Sequence, residues 1–141
     1  SGRISGLGQE KNGMVVVDTS VVIDHIRQKG SSDTIFSKSV KKHFTEQFCL
    51  SVITVQELYE GKSTATPALE EELLQILASM QILPYNYEVA KLAGQIARDL
   101  DRPIDLADAA IAATAIQYQS SLFTLNPADF QNISNLQLLN Q

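Results

Sequence analysis

Short apolar runs alternating with helical periodicity constrain this chain more than any other feature. Residues 14–17, 49–53, 81–83, 122–124 and 136–138 read as five strands, each bounded by polar or turn residues. Between them the period changes. Residues 86–100 place Val89, Leu92, Ala93, Ile96, Ala97 and Leu100 on one stripe, and residues 68–79 do the same with Leu69, Leu73, Ile76 and Leu77, the spacing of amphipathic helices. Residues 106–116, LADAAIAATAI, are small and apolar almost all round, which predicts a helix packed inside. Strands alternating with helices predict a parallel sheet covered on both faces, because parallel neighbours need crossover connections. Such sheets bind ligands beyond the carboxyl ends of their strands.

The 141 residues fit one domain, expected over 14–141. The opening SGRISGLGQEKNG is polar, glycine-rich and aperiodic, so residues 1–13 are expected to be a flexible or artificially added tail. A net charge of −5 excludes the basic footprint of a strong nucleic-acid binder, so a nucleic-acid substrate would have to be held locally or through metal ions. The single cysteine, Cys49, sits in an apolar run and suits core packing in a reducing compartment. No apolar stretch approaches the ~20 residues of a membrane helix, and the expectation is a soluble, cytoplasmic protein with no membrane contact.

Four acids fall near expected helix starts. Asp18 closes the first strand in MVVVDTSVVID; Glu57 lies in TVQELYEG, Asp108 in PIDLAD and Asp129 in NPADF. Each one alone has a simpler account in helix capping. Thr54-x-x-Glu57 is a capping-box pattern that Asp105-x-x-Asp108 and Asn126-x-x-Asp129 imitate, with Pro127 at a first helical position. The set is harder to explain that way. If Asp18, Glu57 and Asp129 follow parallel strands, they share one edge of the sheet, and the buried helix can bring Asp108 to it. Two carboxylates ~4 Å apart repel by about 4 kcal/mol at an effective dielectric of 20, so such a cluster is poor design for stability alone. A divalent cation removes the penalty, and Mg²⁺ or Mn²⁺ takes oxygen ligands. His25, His43 and Cys49 have no spacing that suits zinc. An acid-only site points to phosphate-ester chemistry, with the metal polarising the phosphoryl oxygens and activating water. An aspartyl-phosphatase would carry a second Asp where this chain has Ser20, Val15–Val17 replace the acidic pair of a phospho-receiver, and no glycine-rich phosphate loop follows any strand.

The motifs VVVDTSVVID, TVQELYEG, PIDLADAAIAATA and LFTLNPADF, in this order across 14–139, resemble the PIN-domain ribonucleases, especially the VapC-type toxins of bacterial toxin–antitoxin pairs. The resemblance implies a three-layer α/β/α sandwich around a central, mainly parallel sheet of about five strands. It also implies Mg²⁺- or Mn²⁺-dependent endonuclease cleavage of RNA, with tRNA or rRNA as targets. By position, Asp18 resembles the family's first acid, supported by Thr19 or Ser20, and Glu57 its second. Asp108 resembles the third and Asp129 the fourth, with Asn126 as a polar helper. Asp105 stands one helical turn before Asp108, as an N-cap or a further ligand; Glu60 defaults to a solvated face. Leu125 departs from the pattern, since many relatives carry a basic residue there. In the implied mechanism Asp18, Asp108 and Asp129 hold one or two metal ions, Glu57 completes the ring or orients the water, and activated water attacks the phosphodiester.

The resemblance further implies a small antitoxin placing a cationic side chain against the acids, and a homodimer, for which the helices between 68 and 100 offer apolar surface. Two rival readings are a catalytically silent PIN-like module that binds RNA or protein, and a structure-specific DNA nuclease. Lys38, Lys41, Lys42 and His43 form the densest basic group, on a helix expected to turn Ile35, Phe36, Val40 and Phe44 inward; a solvated face is its default reading, an RNA-backbone contact the sharper one.

Overall fold

The computed structural model describes residues 13–140. Four strands, β1 (Met14–Val17), β2 (Gln47–Ser51), β3 (Gln81–Leu83) and β4 (Ser121–Phe123), form one sheet in the order β3-β2-β1-β4, and every pairing is parallel. Six helices cover it: α1 (Thr19–Arg27), α2 (Ile35–Lys42), α3 (Val52–Glu60), α4 (Pro67–Leu77), α5 (Tyr87–Asp99) and α6 (Leu106–Gln117). The side-chain alternation of β1 shows the layering, because successive residues of a strand face opposite sides. Val15 and Val17 pack with Val21, Ile26, Leu58 and Leu73 of α1, α3 and α4. Val16 packs on the other face with Ile111, Ala112 and Ala115 of α6. This is the expected α/β/α sandwich.

The alanines of α6 explain its place in the core. Ala109 to Ala115 are all buried, and Val89 and Ala93 of α5 pack against Ala109 and Ala113. Local signals set several helix starts: Thr34, Thr66 and Asn86 each accept a hydrogen bond from the backbone three residues on, and Pro67 follows Thr66 at the first helical position.

Four expectations are corrected. The sheet has four strands rather than five: 136–138 contributes one parallel bridge, Leu122 to Leu138, because the chain beyond β4 pairs only through Leu122. The second strand ends at Ser51, whose hydroxyl accepts from the Ile53 amide and starts α3 there, so the β-branched pair Val52-Ile53 is helical. Thr54 is therefore inside α3, not its cap. Finally, α2 stops at Lys42, which takes Phe44 off the inward stripe; Phe44 is 81% exposed. The lysines of that helix face solvent, as a solvated face requires.

Of the expected tail 1–13, residues 1–12 lie outside the described residues. Gly13 accepts a 2.7 Å hydrogen bond from the Gln47 amide and has φ +80°, a conformation glycine adopts without strain. Cys49 is fully buried, and burial pushes its thiol up to about 11, which suits packing rather than reactivity. No helix among the described residues is long and apolar enough to cross a membrane.

Candidate active site

The strand order reverses beside β1: β2 and β3 lie to one side of it and β4 to the other. In open parallel sheets that reversal opens a crevice at the carboxyl ends. Asp18 leaves β1 at this point as the N-cap of α1, and its amide donates to Phe123 O of β4 at 2.8 Å. Its carboxylate does not cap the helix. Instead Asp18 Oδ2 accepts from Ser20 Oγ and from Thr124 Oγ1, each at 2.7 Å. Those hydroxyls also accept, from the amides of Leu125 (3.2 Å) and Asn126 (3.0 Å). Asp18 is thus buried and fixed by two hydroxyls that simultaneously hold the chain leaving β4.

Glu57 is not at a helix start. It lies in the last turn but one of α3, and its Oε1 accepts from Thr19 Oγ1 at 2.6 Å. Thr19 Oγ1 also lies 3.0 Å from the buried Thr54 Oγ1. Burial raises the Glu57 carboxyl above its ordinary range, with the charges of Asp18, Glu60 and Asp105 acting in the same direction against the hydrogen bond from Thr19.

Asp108 sits in the first turn of α6, after Asp105 at the N-cap position. Neither carboxylate makes a side-chain hydrogen bond among the described residues. Half-buried Asp108 has its carboxyl pushed up to about 7, first by burial and then by the charges of Asp18, Asp129, Asp105 and Glu57. Asp129 is exposed in the 3-10 turn Pro127–Phe130, entered through Asn126, whose side chain does not cap it.

The structure therefore brings Asp18, Glu57, Asp105 and Asp129, carried with Asp108 on four separate segments, into electrostatic range of Asp108. Thr19 and Ser20 each support one acid directly. Asn126 contributes its backbone, not its side chain. Glu60 is exposed and accepts from Gln56. Sequence reasoning read Thr54 as a helix cap rather than a partner of Thr19, and missed Thr124, whose only signal was a hydroxyl adjoining a strand end.

All donors offered here are carboxylate oxygens, the ligand type of hard divalent cations. Among the described residues no lysine or arginine forms an ion pair with them; the ion pair found is Arg98–Asp99, outside the cluster. The donor set fits a divalent cation in chemistry and in sign of charge. Among the described residues no three such side chains already stand at coordination spacing, so the acids form a loose cluster rather than a ready-made ligand cage. A separate cavity of about 470 Å³, beside the start of β2 and the end of α1, is lined by His25, Phe36, Phe48 and Glu72 and holds none of these acids.

Residues 15–136 match the PIN domain, and the chain belongs to that family. It is 27% identical over 128 residues to Ribonuclease VapC19 of Mycobacterium tuberculosis, covering 88% of this chain and 98% of that protein. It is 30% identical over 135 residues to Ribonuclease VapC1 of Rickettsia felis, covering 89% and 94%. Among solved structures it is similar to VapBC2 from Rickettsia felis bound to a DNA fragment from their promoter, with TM-score 0.76, 22% identity and coverage of 91% and 98%. FitAcB from Neisseria gonorrhoeae is similar with TM-score 0.68, 27% identity and coverage of 90% and 97%.

Proposed function

We propose that this protein is a metal-dependent endoribonuclease and the toxin of a toxin–antitoxin pair. The observation that carries the reading is the meeting of Asp18, Glu57 and Asp129 around Asp108, with no lysine or arginine ion-paired to these carboxylates among the described residues. The relatives named Ribonuclease VapC support RNA as the substrate, and tRNA or rRNA are the targets this reading proposes.

Asp18, Asp108 and Asp129 are the residues that would hold Mg²⁺ or Mn²⁺. Such an ion, when bound, neutralises the phosphodiester and lowers the pKa of water near it. The chain supplies the rest. Ser20 and Thr124 fix the Asp18 carboxylate, and Thr19 holds one oxygen of Glu57. The second oxygen of Glu57 has no hydrogen-bond partner among the described residues, which leaves it available to orient a water and take its proton.

The VapBC complexes similar in fold support a small antitoxin as partner. An arginine suits the acidic edge, because its fork matches carboxylates. The exposed Leu74, Ile82 and Tyr87 of α4, the edge strand β3 and α5 support a homodimer.

The test is cleavage of total tRNA and rRNA, beside matched DNA, with Mg²⁺, Mn²⁺ or EDTA and with Asp108→Asn as control. Discrete RNA fragments that require metal and vanish in the variant are expected. Equal cutting of DNA would favour a DNA nuclease, and metal binding without turnover on any RNA a silent binding module.

A further inference from the structure

We propose that Arg102 is a positioning residue that sets Asp129 against Asp108, an inference that rests on the reading of these acids as a shared cation site. A 3-10 turn of four residues is weak by itself, since its hydrogen bonds are poorly aligned and its side chains crowd. The turn Pro127–Phe130 nevertheless carries an acid that must be held in place. Phe130 anchors it below, 2% exposed among Val16, Leu122 and Ile133. Its entrance is held by the hydroxyls of Ser20 and Thr124, the same two groups that bind Asp18.

Its exit is held by Arg102. One terminal nitrogen of the guanidinium donates to Asp129 O at 3.2 Å and to Gln131 O at 2.8 Å. The other donates to Pro103 O at 3.5 Å, within the segment that leads into Asp105 and α6. Arginine commonly serves the last carbonyls of a helical segment, which have no partner within it. Here it ties the exit of the Asp129 turn to the approach to Asp108 across 27 residues of sequence.

The remaining guanidinium nitrogen makes the assignment sharper. Arg102 Nε is buried with no hydrogen-bond partner among the described residues. A buried N–H left unpaired is normally selected against. The turn bearing Asp129 is thus tied at one end to the group holding Asp18 and at the other to the segment bearing Asp108. A lysine cannot reproduce this, because its single ammonium lacks the planar fork.

The experiment is a double-mutant cycle on Mn²⁺ affinity, read from free Mn²⁺ by electron paramagnetic resonance, with Arg102→Met, Asp129→Asn and both together. Supporting residues around metal ligands typically change affinity by 10- to 100-fold. Arg102→Met is expected to weaken Mn²⁺ binding about tenfold in the wild-type background and to add nothing once Asp129 is already Asn. The same loss in both backgrounds, or no loss in either, would overturn the proposal while leaving the cation site intact. Failure of the wild type to bind Mn²⁺ would instead remove the cation reading and this proposal with it. If Arg102→Met does not fold, Arg102→Lys takes its place in the cycle. In that variant the amide resonances of Asp129 and Phe130 are expected to shift, while that of Asp18 stays unmoved. Unmoved Asp129 and Phe130 resonances would overturn the assignment.

Discussion

The carboxyl end of β1 and the first turn of α6 each present an aspartate to the same edge, in opposite surroundings. Asp18 is buried and receives two hydroxyl hydrogen bonds of 2.7 Å. Asp108 receives none among the described residues, and burial with four neighbouring acids pushes its carboxyl up to about 7. One acid is preorganised; the other is left with repulsion that the protein does not relieve. The contrast teaches that the site is held by hydroxyls on the β1 side and, among the described residues, has no ion pair to its carboxylates on the α6 side, the arrangement expected where an external cation completes the structure.

The largest effect should come from removing either charge. Asp18→Asn or Asp108→Asn is expected to lower metal-dependent RNA cleavage by at least about 100-fold, the scale of losing one electrostatic group at a reacting centre, with an unchanged circular dichroism spectrum. Near-wild-type cleavage by either variant would break the assignment. Glu57→Gln comes next, at the lower, about 100-fold end of general-base assistance; single-turnover rates at saturating Mn²⁺ should fall while Mn²⁺ affinity changes less.

The rigid side can be loosened separately. Thr124→Val removes a donor to Asp18 and an acceptor for the Asn126 amide. A hydrogen bond to a charged group contributes about 1.5–3 kcal/mol, so urea denaturation should show a loss on that order. An unchanged midpoint would mean that the hydroxyl does not hold Asp18 in solution.

The smallest effect is read at Asp108 alone, by pH. Asp108 has a folded-state pKa of about 7, above its ordinary value of 3.8, so between those pH values the folded chain binds more protons than the unfolded one. Stability contributed by Asp108 is therefore present at low pH and is lost as pH rises through about 7. Asp108→Asn should stabilise the metal-free protein at pH 8 and lose that advantage near pH 4. After discounting for solvent screening of a half-buried group, the gain is on the order of 1 kcal/mol. A variant less stable than wild type at pH 8 would contradict the sign.

The parallel sheet, its layering and the approach of Asp18, Glu57 and Asp129 to Asp108 were readable from the sequence because each leaves a local mark: alternating periods, an acid ending a valine run, small residues all round α6. What was not readable depends on distant pairing. Thr124 meets Asp18 across 106 residues, and nothing near Thr124 announces it. Arg102 reads as one more surface charge until the turn after β4 folds against it. The start of α3 was hidden because Val52-Ile53 prefers strands by propensity, while the deciding signal was the single hydroxyl of Ser51. Asp105 and Asn126 do occupy N-cap positions, as the spacing suggested, but neither side chain makes the cap hydrogen bond, which the local sequence does not reveal.

The most direct test of a charge-deficient edge completed by a cation is calorimetric titration of the wild type with Mn²⁺ in buffers of different ionisation enthalpy. Cation binding must expel the proton that Asp108 retains. Binding at pH 6.5 with release of up to about one proton, falling toward none above pH 8.5 and absent in Asp108→Asn, is the expected result. No binding, or binding with no proton release at any pH, would contradict it.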